Sequence, residues 1–254
     1  MPKRSTAGRL PEWLAYNGRQ LRYYLSRALW ESKAFIPGLR AQRRREAMIG
    51  PFGHWRELRA YQIQALKQHG LQPQHRILDI GCGPLQGGIP MIQYLEPSSY
   101  VGVDINPFKL AEGYREVARH GLAPKNPRLF HSEKFGAEHL DGQRFDFIWA
   151  SQILYYFDDA TLRNLLAFVA QKLAPNGKFL CDILGKCDRK LRSRSHLQWC
   201  RSVKRHSVKK FNQLGAPFGL QARATGRIDA FGYPRKLRLC SNVMIEVTHR
   251  QPPG

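Results

Sequence analysis

A formal charge of +22 on 254 residues, with a sequence pI near 10.3, points to an anionic partner: nucleic acid, an anionic lipid headgroup or an acidic glycan. The length suits one domain with a sizeable core plus appendages, and no run of about eighteen apolar residues exists to span a membrane. The five cysteines (Cys82, Cys181, Cys187, Cys200, Cys240) form no Cys-x-x-Cys pair or other metal-ligand spacing, so no metal site is expected; their odd number, with no secretory signal, reads as reduced thiols in the cytoplasm.

The charge is concentrated. Residues 1–50 hold eleven Lys/Arg against three Asp/Glu, and residues 186–210 hold ten against one, so two short segments account for +17 of the +22. The first is a basic helical extension and linker (1–50): Leu14, Leu21, Leu25 and Leu29 fall at helical spacing, with Arg19, Arg22 and Arg27 largely off that stripe. Three readings of it stay open: packing on the rest of the chain, lying in an anionic membrane surface, or sitting on RNA. The sequence says nothing of oligomeric state. Ile49 to Gly53 is turn-rich, which puts a single domain at 51–254.

Within that domain, Trp55, Leu58, Tyr61, Ala65 and Leu66 predict a helix over 54–68. The next stretch, His75 to Gly88 (HRILDIGCGPLQGG), is a short apolar run ending in glycines: a buried parallel strand, a tight turn and then a helix. Gly81 and Gly83 allow φ > 0 and a close backbone approach to a ligand, and the following helix start offers unpaired N–H groups there. Twenty-one residues after Gly83, Asp104 ends a second apolar run, where its carboxylate can accept from both hydroxyls of a ribose. Glycine turn plus acid at this spacing implies a nucleoside-type cofactor. The dinucleotide pattern G-x-G-x-x-G is broken, because its third glycine position is Gln86.

Further along, Asn106-Pro107 opens a helix that Gly121 closes, strands are expected at 128–131 and 145–150, and Asp158 caps a helix whose Leu162, Leu165, Leu166, Val169 and Leu173 form a core stripe. Pro175-Asn-Gly177 is expected to turn into a strand over 178–184, after which the second basic segment begins. A helix over 207–214 and strands over 222–228 and 238–247 complete the chain.

The segment LDIGCGP resembles motif I of the class I S-adenosylmethionine (SAM) methyltransferases, and VGVDINP resembles their acidic second motif. FDFIWASQILYYFDD is similar to the fourth motif and LAPNGKFLCDIL to the turn into strand five, so the resemblance runs from about Trp55 to Val247 and is to bacterial stand-alone small-molecule or type-11-like enzymes. It implies an α/β, doubly wound, seven-stranded and mostly parallel sheet with an antiparallel last strand. SAM would contact Asp79, Gly81, Gly83, Asp104, Ile105, Asn106, Ser132, Glu133, Ser151 and Gln152. A connection after strand five commonly recognises substrate in this family, which makes Lys186, Arg189, Arg192 and Arg194 substrate-binding candidates, with Tyr233 and Arg235 in a later loop. Tyr155, Tyr156, His131 and His196 are the candidate bases.

The acceptor is narrowed by what the chain lacks. After strand four there is no Asn/Asp-Pro-Pro-aromatic sequence for a flipped exocyclic amine and no Pro-Cys dipeptide for C5 methylation, and the strand-four acid of the 2′-O-ribose tetrad is missing. The expected reaction is methyl transfer to oxygen or nitrogen of a small or polymer-attached anionic acceptor (metabolite, glycan or lipid) by a cytoplasmic enzyme, peripheral at the membrane if the extension binds lipid. RNA methylation and non-catalytic SAM binding are the alternatives.

Overall fold

The computed structural model describes residues 45, 46, 48, 49, 53–185, 203–237 and 241–251. Residues up to Phe52 form a separate unit, of which only four helical residues are described; everything below concerns the unit that begins at Gly53. The predicted leucine-striped helix of the extension, His196, and the cationic candidates Lys186, Arg189, Arg192 and Arg194 lie outside the described residues.

The elements run α1 (Trp55–Gln68), β1 (Ile77–Ile80), α2 (Gly88–Tyr94), β2 (Tyr100–Asp104), α3 (Pro107–Arg119), β3 (Arg128–His131), β4 (Phe145–Ala150), α4 (Asp159–Lys172), β5 (Leu173–Ile183), α5 (Val208–Gly215), β6 (Leu220–Arg227) and β7 (Val243–His249). They build a seven-stranded sheet in the order β3-β2-β1-β4-β5-β7-β6. β1 pairs in parallel with β2 and β4, and β2–β3 and β4–β5 continue the parallel block, while β7 enters antiparallel between β5 and β6.

Strands buried on both faces read as uninterrupted apolar runs, which is why β1 and β2 were easy to see in the sequence. Side chains alternate across the sheet, so each strand divides between two cores. Ile77, Tyr100, Phe147, Trp149, Leu180 and Met244 pack on one face with Leu58, Tyr61, Ala65 and Leu66 of α1. Leu78, Ile80, Val101, Ile148, Phe179 and Ile245 pack on the other with Leu162, Leu165, Leu166 and Val169 of α4. By the same alternation Asp79, Asp104 and Asp182 share the α1 face.

Three boundaries differ from the sequence reading. The helix after the glycine turn starts only at Gly88, because Pro84 to Gly87 are spent in turns, with Leu85 at a φ of 60°. The turn expected at Pro175-Asn-Gly177 lies inside β5: Leu173 already pairs with Phe145, and the chain bulges before Lys178 rejoins opposite Phe147. The last strand is described from Val243, with Asn242 before it turning its side chain to Asp182 and its carbonyl to Ile228; residues 238–240 of the expected strand lie outside the described residues.

Caps fix the helix that follows β2. Asn106 accepts from the backbone N–H groups of Phe108 (2.9 Å) and Lys109 (3.2 Å), and Pro107 fills the first helical position. Replacing such a cap by alanine typically costs about 1 kcal/mol. Asn106→Ala should therefore lower the unfolding free energy of the full chain, measured in urea, by that amount, and Asn106→Ser, which keeps an acceptor, should recover most of it.

Candidate active site

The turn after β1 and the end of β2 are one construction. Gly81 and Gly83 adopt φ values of +75° and +55°, the left-handed region that favours glycine. The carboxylate of Asp104 accepts from the Gly83 amide (2.9 Å) through one oxygen and from the Asn106 amide (2.8 Å) through the other. It thereby ties the glycine turn to the start of α3. Each oxygen has engaged one lone pair, so both keep acceptor capacity for a further donor. Gly102, beside it on β2, has no room for a side chain: a Cβ would meet Cys82 Sγ at 2.8 Å.

Asp79 is buried on the same face and accepts from the Tyr100 hydroxyl at 2.7 Å. Burial pushes its pKa from the ordinary carboxylate value up to about 7, opposed by the Tyr100 hydrogen bond and helped by the charge of Asp104.

The neighbours of Asp104 divide their duties. Ile105 is 65 % exposed, an unusual position for a large apolar side chain, and its carbonyl accepts from His131 Nε2 at 3.0 Å. His131 therefore braces the Asp104 end of the crevice. β2 and β1 separate it from the end of β4, where an acceptor was expected to meet a base. Ser132 is buried and its hydroxyl accepts from Lys134 (3.0 Å) and Gly136 (2.7 Å), which shapes the turn after β3; Glu133 is exposed.

At the other end of the crevice, Ser151 and Gln152 follow β4, and Gln152 holds a φ of 61°. Tyr155 packs its ring on Tyr156 with centroids 4.6 Å apart; Tyr156 is 67 % exposed, and Tyr155 is largely buried. Burial, with Tyr156 and Asp182 nearby, pushes the Tyr155 phenol far above its usual value. Tyr233 is buried edge-on against Tyr61 (centroids 5.2 Å apart, 87° between planes), and burial beside Asp182 pushes its phenol to about 12. Both are therefore protonated hydrogen-bond donors at neutral pH rather than phenolate bases. Arg235 is exposed, 3.9 Å from Asp229, and helps line an open cleft of about 510 Å³ with Glu57, Ala60, Gly232 and Pro234.

Sequence reasoning missed Tyr61, Tyr100, Asp182 and Asn242. A signal was available for Asp182, an acid set in the apolar run of β5 near its carboxyl end, the same placement that drew attention to Asp79 and Asp104.

Residues 78–179 match the family described as a methyltransferase domain. The fold is similar to that of solved structures: a magnesium protoporphyrin IX methyltransferase (ChlM) from Synechocystis with bound SAH (TM-score 0.59, 14 % identity, covering 89 % of this chain and 100 % of that one) and the YcgJ protein from Bacillus subtilis (0.56, 17 %, 76 % and 99 %). A SAM-dependent methyltransferase from Clostridium acetobutylicum is similar too (0.55, 15 %, 78 % and 92 %). No curated protein matches the sequence. Among the described residues no group of His, Cys, Asp and Glu is arranged to hold a metal.

The raised pKa of Asp79 has a measurable consequence. The folded chain keeps a proton that the unfolded chain releases near pH 4, so this group makes stability fall as pH rises from about 4 to about 7 and adds no further slope above that. Asp79→Asn, whose carbonyl still accepts from Tyr100, should flatten the decline of urea-unfolding stability over that window. An unchanged slope would contradict the assignment. Asp182, whose pKa is also raised by burial, should leave a residual slope of the same sign.

Proposed function

We propose that this methyltransferase transfers the methyl group of SAM to an oxygen or nitrogen of a small or polymer-attached anionic acceptor. The observation that supports it most is the Asp104 carboxylate held by the Gly83 and Asn106 amides, a fixed acceptor for vicinal hydroxyls beside a turn that lets a ligand approach the backbone. SAM supplies a methyl group already activated by its sulfonium.

What the chain must add is alignment and exclusion of water, which in favourable systems supplies roughly 7 to 11 kcal/mol of the barrier. Asp104, Ile105 and Asn106 would hold the nucleoside end. Gly81, Gly83 and Asp79 line the turn beneath it. On the acceptor side, the protonated phenols of Tyr155 and Tyr233 donate hydrogen bonds that orient the incoming atom, and a base is needed only where that atom must shed a proton.

Charge speaks for an anionic acceptor. The basic stretch 186–210 follows β5, and its described end supports a position beside the crevice: Lys204 donates its backbone N–H to the Tyr155 carbonyl (2.8 Å), and His206 Nε2 donates to the carbonyls of Leu154 and Phe157 (both 3.1 Å). Cations within about one Debye length, roughly 8 Å at physiological salt, attract and retain such a partner without defining the acceptor atom. The basic extension over 1–50 would bring the domain to the same partner, in the cytoplasm or at an anionic membrane surface. No helix among the described residues is long and apolar enough to cross a membrane.

Calorimetry with the demethylated product, SAH, tests the cofactor assignment. The full chain should bind it, and Asp104→Ala should lose at least tenfold in affinity, because charge-assisted hydrogen bonds are each worth about 1.5–3 kcal/mol. Wild-type affinity in that variant would refute the assignment. Replacing Arg189, Arg192 and Arg194 together by glutamine should leave SAH affinity within twofold and flatten the salt dependence of binding to anionic vesicles. If instead the full chain ignores vesicles and binds an RNA oligonucleotide with a steep loss on added salt, RNA is the acceptor class.

A further inference from the structure

Of the three buried aspartates that β1, β2 and β5 place on the α1 face, Asp182 takes no part in the chemistry argued above. It is completely buried at the carboxyl end of β5. One of its oxygens accepts from the backbone N–H of Gln152 at 2.7 Å, and the other accepts from the Gln152 side-chain amide at 2.7 Å and from Asn242 Nδ2 at 3.0 Å. A carboxylate withdrawn from water persists only where donors converge on it. Here two of the three donors belong to one residue, gripped at backbone and side chain together.

The grip has a geometric effect. Gln152 sits at a φ of 61°, which residues with a side chain rarely adopt, and its position fixes Ile153 next in the chain. The Ile153 side chain lies on the bare face of Gly81: a Cβ built there would be 2.9 Å from Ile153 Cγ2 and 3.0 Å from its Cδ1. So Asp182 holds Gln152, Gln152 places Ile153, and Ile153 backs the first glycine of the cofactor turn. On its other side, Asn242 accepts at its carbonyl from Ile228 (3.1 Å), whose own carbonyl accepts from Tyr233 (3.2 Å). The hydroxyls of Tyr61 and Ser151 are buried in the same place, and the Asp182 charge acts on the phenols of Tyr61, Tyr155 and Tyr233.

We propose that Asp182 is a positioning residue that locks the loop after β4 onto the glycine turn, coupling the acceptor wall of the crevice to cofactor binding. The proposal rests on the SAM reading. It assigns to a residue that touches neither cofactor nor acceptor the task of keeping their two walls in register.

Asp182→Asn tests it in the full chain. The variant puts an amide N–H₂ against the donors of Gln152 or Asn242, and the double variant Asp182→Asn with Asn242→Asp restores a complementary pair. SAH affinity should fall at least tenfold in the single variant and return to within threefold of wild type in the double one. Hydrogen exchange of the segments around Gly81–Gly83 and Gln152 should accelerate and recover in parallel. If the single variant does not fold, Gln152→Ala replaces it, keeping the backbone donor and Asn242, with SAH affinity expected to fall about threefold and exchange at Gly81–Gly83 to rise. A merely structural role would lower the melting temperature and leave SAH affinity within twofold and exchange at Gly81–Gly83 unchanged; either result, or absence of recovery in the double variant, overturns the proposal. The two readings fail separately. A wild-type chain that does not bind SAH refutes the cofactor assignment, and exchange at Gly81–Gly83 then decides the coupling alone.

Discussion

The Asp104 carboxylate holds two loops at once, and the rest of the site depends on it. Without the bonds to Gly83 and Asn106, a turn at positive φ and a helix start would rely on β1–β2 pairing and on the Gly81 and Cys82 amides, which donate to the Val103 carbonyl (2.8 and 3.1 Å). With them, the backbone that a cofactor must approach is fixed before any cofactor arrives, which lowers the ordering cost of binding. The cost is a carboxylate kept largely from water, and the amides that surround it compensate for that.

The same device recurs at the ends of the other strands with different partners. Asp79 meets a phenol and shifts toward the neutral form. Asp182 meets three N–H donors and grips a loop. Burial raises the pKa of Asp79 and of Asp182, and the opposing hydrogen bonds differ in number and kind. Three aspartates on one face of one sheet thus serve three purposes, set by what donates to each.

The cofactor half of this arrangement was legible in the sequence because it is local. A strand, a glycine turn and an acid at the end of the next strand leave a pattern within thirty residues, and apart from Asp79 and Asp104 the strands involved are uncharged and buried. The acceptor half was legible only in part. Tyr155 and Gln152 stood out from their position after β4, but Asp182, Asn242 and Tyr61 come together from α1, β5 and the residue before β7, and no spacing rule joins them. The antiparallel insertion of β7 came from the family resemblance alone. The early start of β5 escaped notice because Pro175-Asn-Gly177 carries every local mark of a turn, and pairing of Leu173 with Phe145 overrode it. His131 was considered a base for its titration range, yet its ring is committed to the Ile105 carbonyl.

If the ligand of the glycine turn is a SAM-type nucleoside held by Asp104, a crystal structure of the full chain grown with SAH will show it directly. Both ribose hydroxyls should lie within hydrogen-bond distance of the Asp104 carboxylate, with Ile105 covered by the base and the Gly83–Asp104 bond retained. SAH bound elsewhere, or bound at the turn with Asp104 making no contact to the ribose, would contradict it.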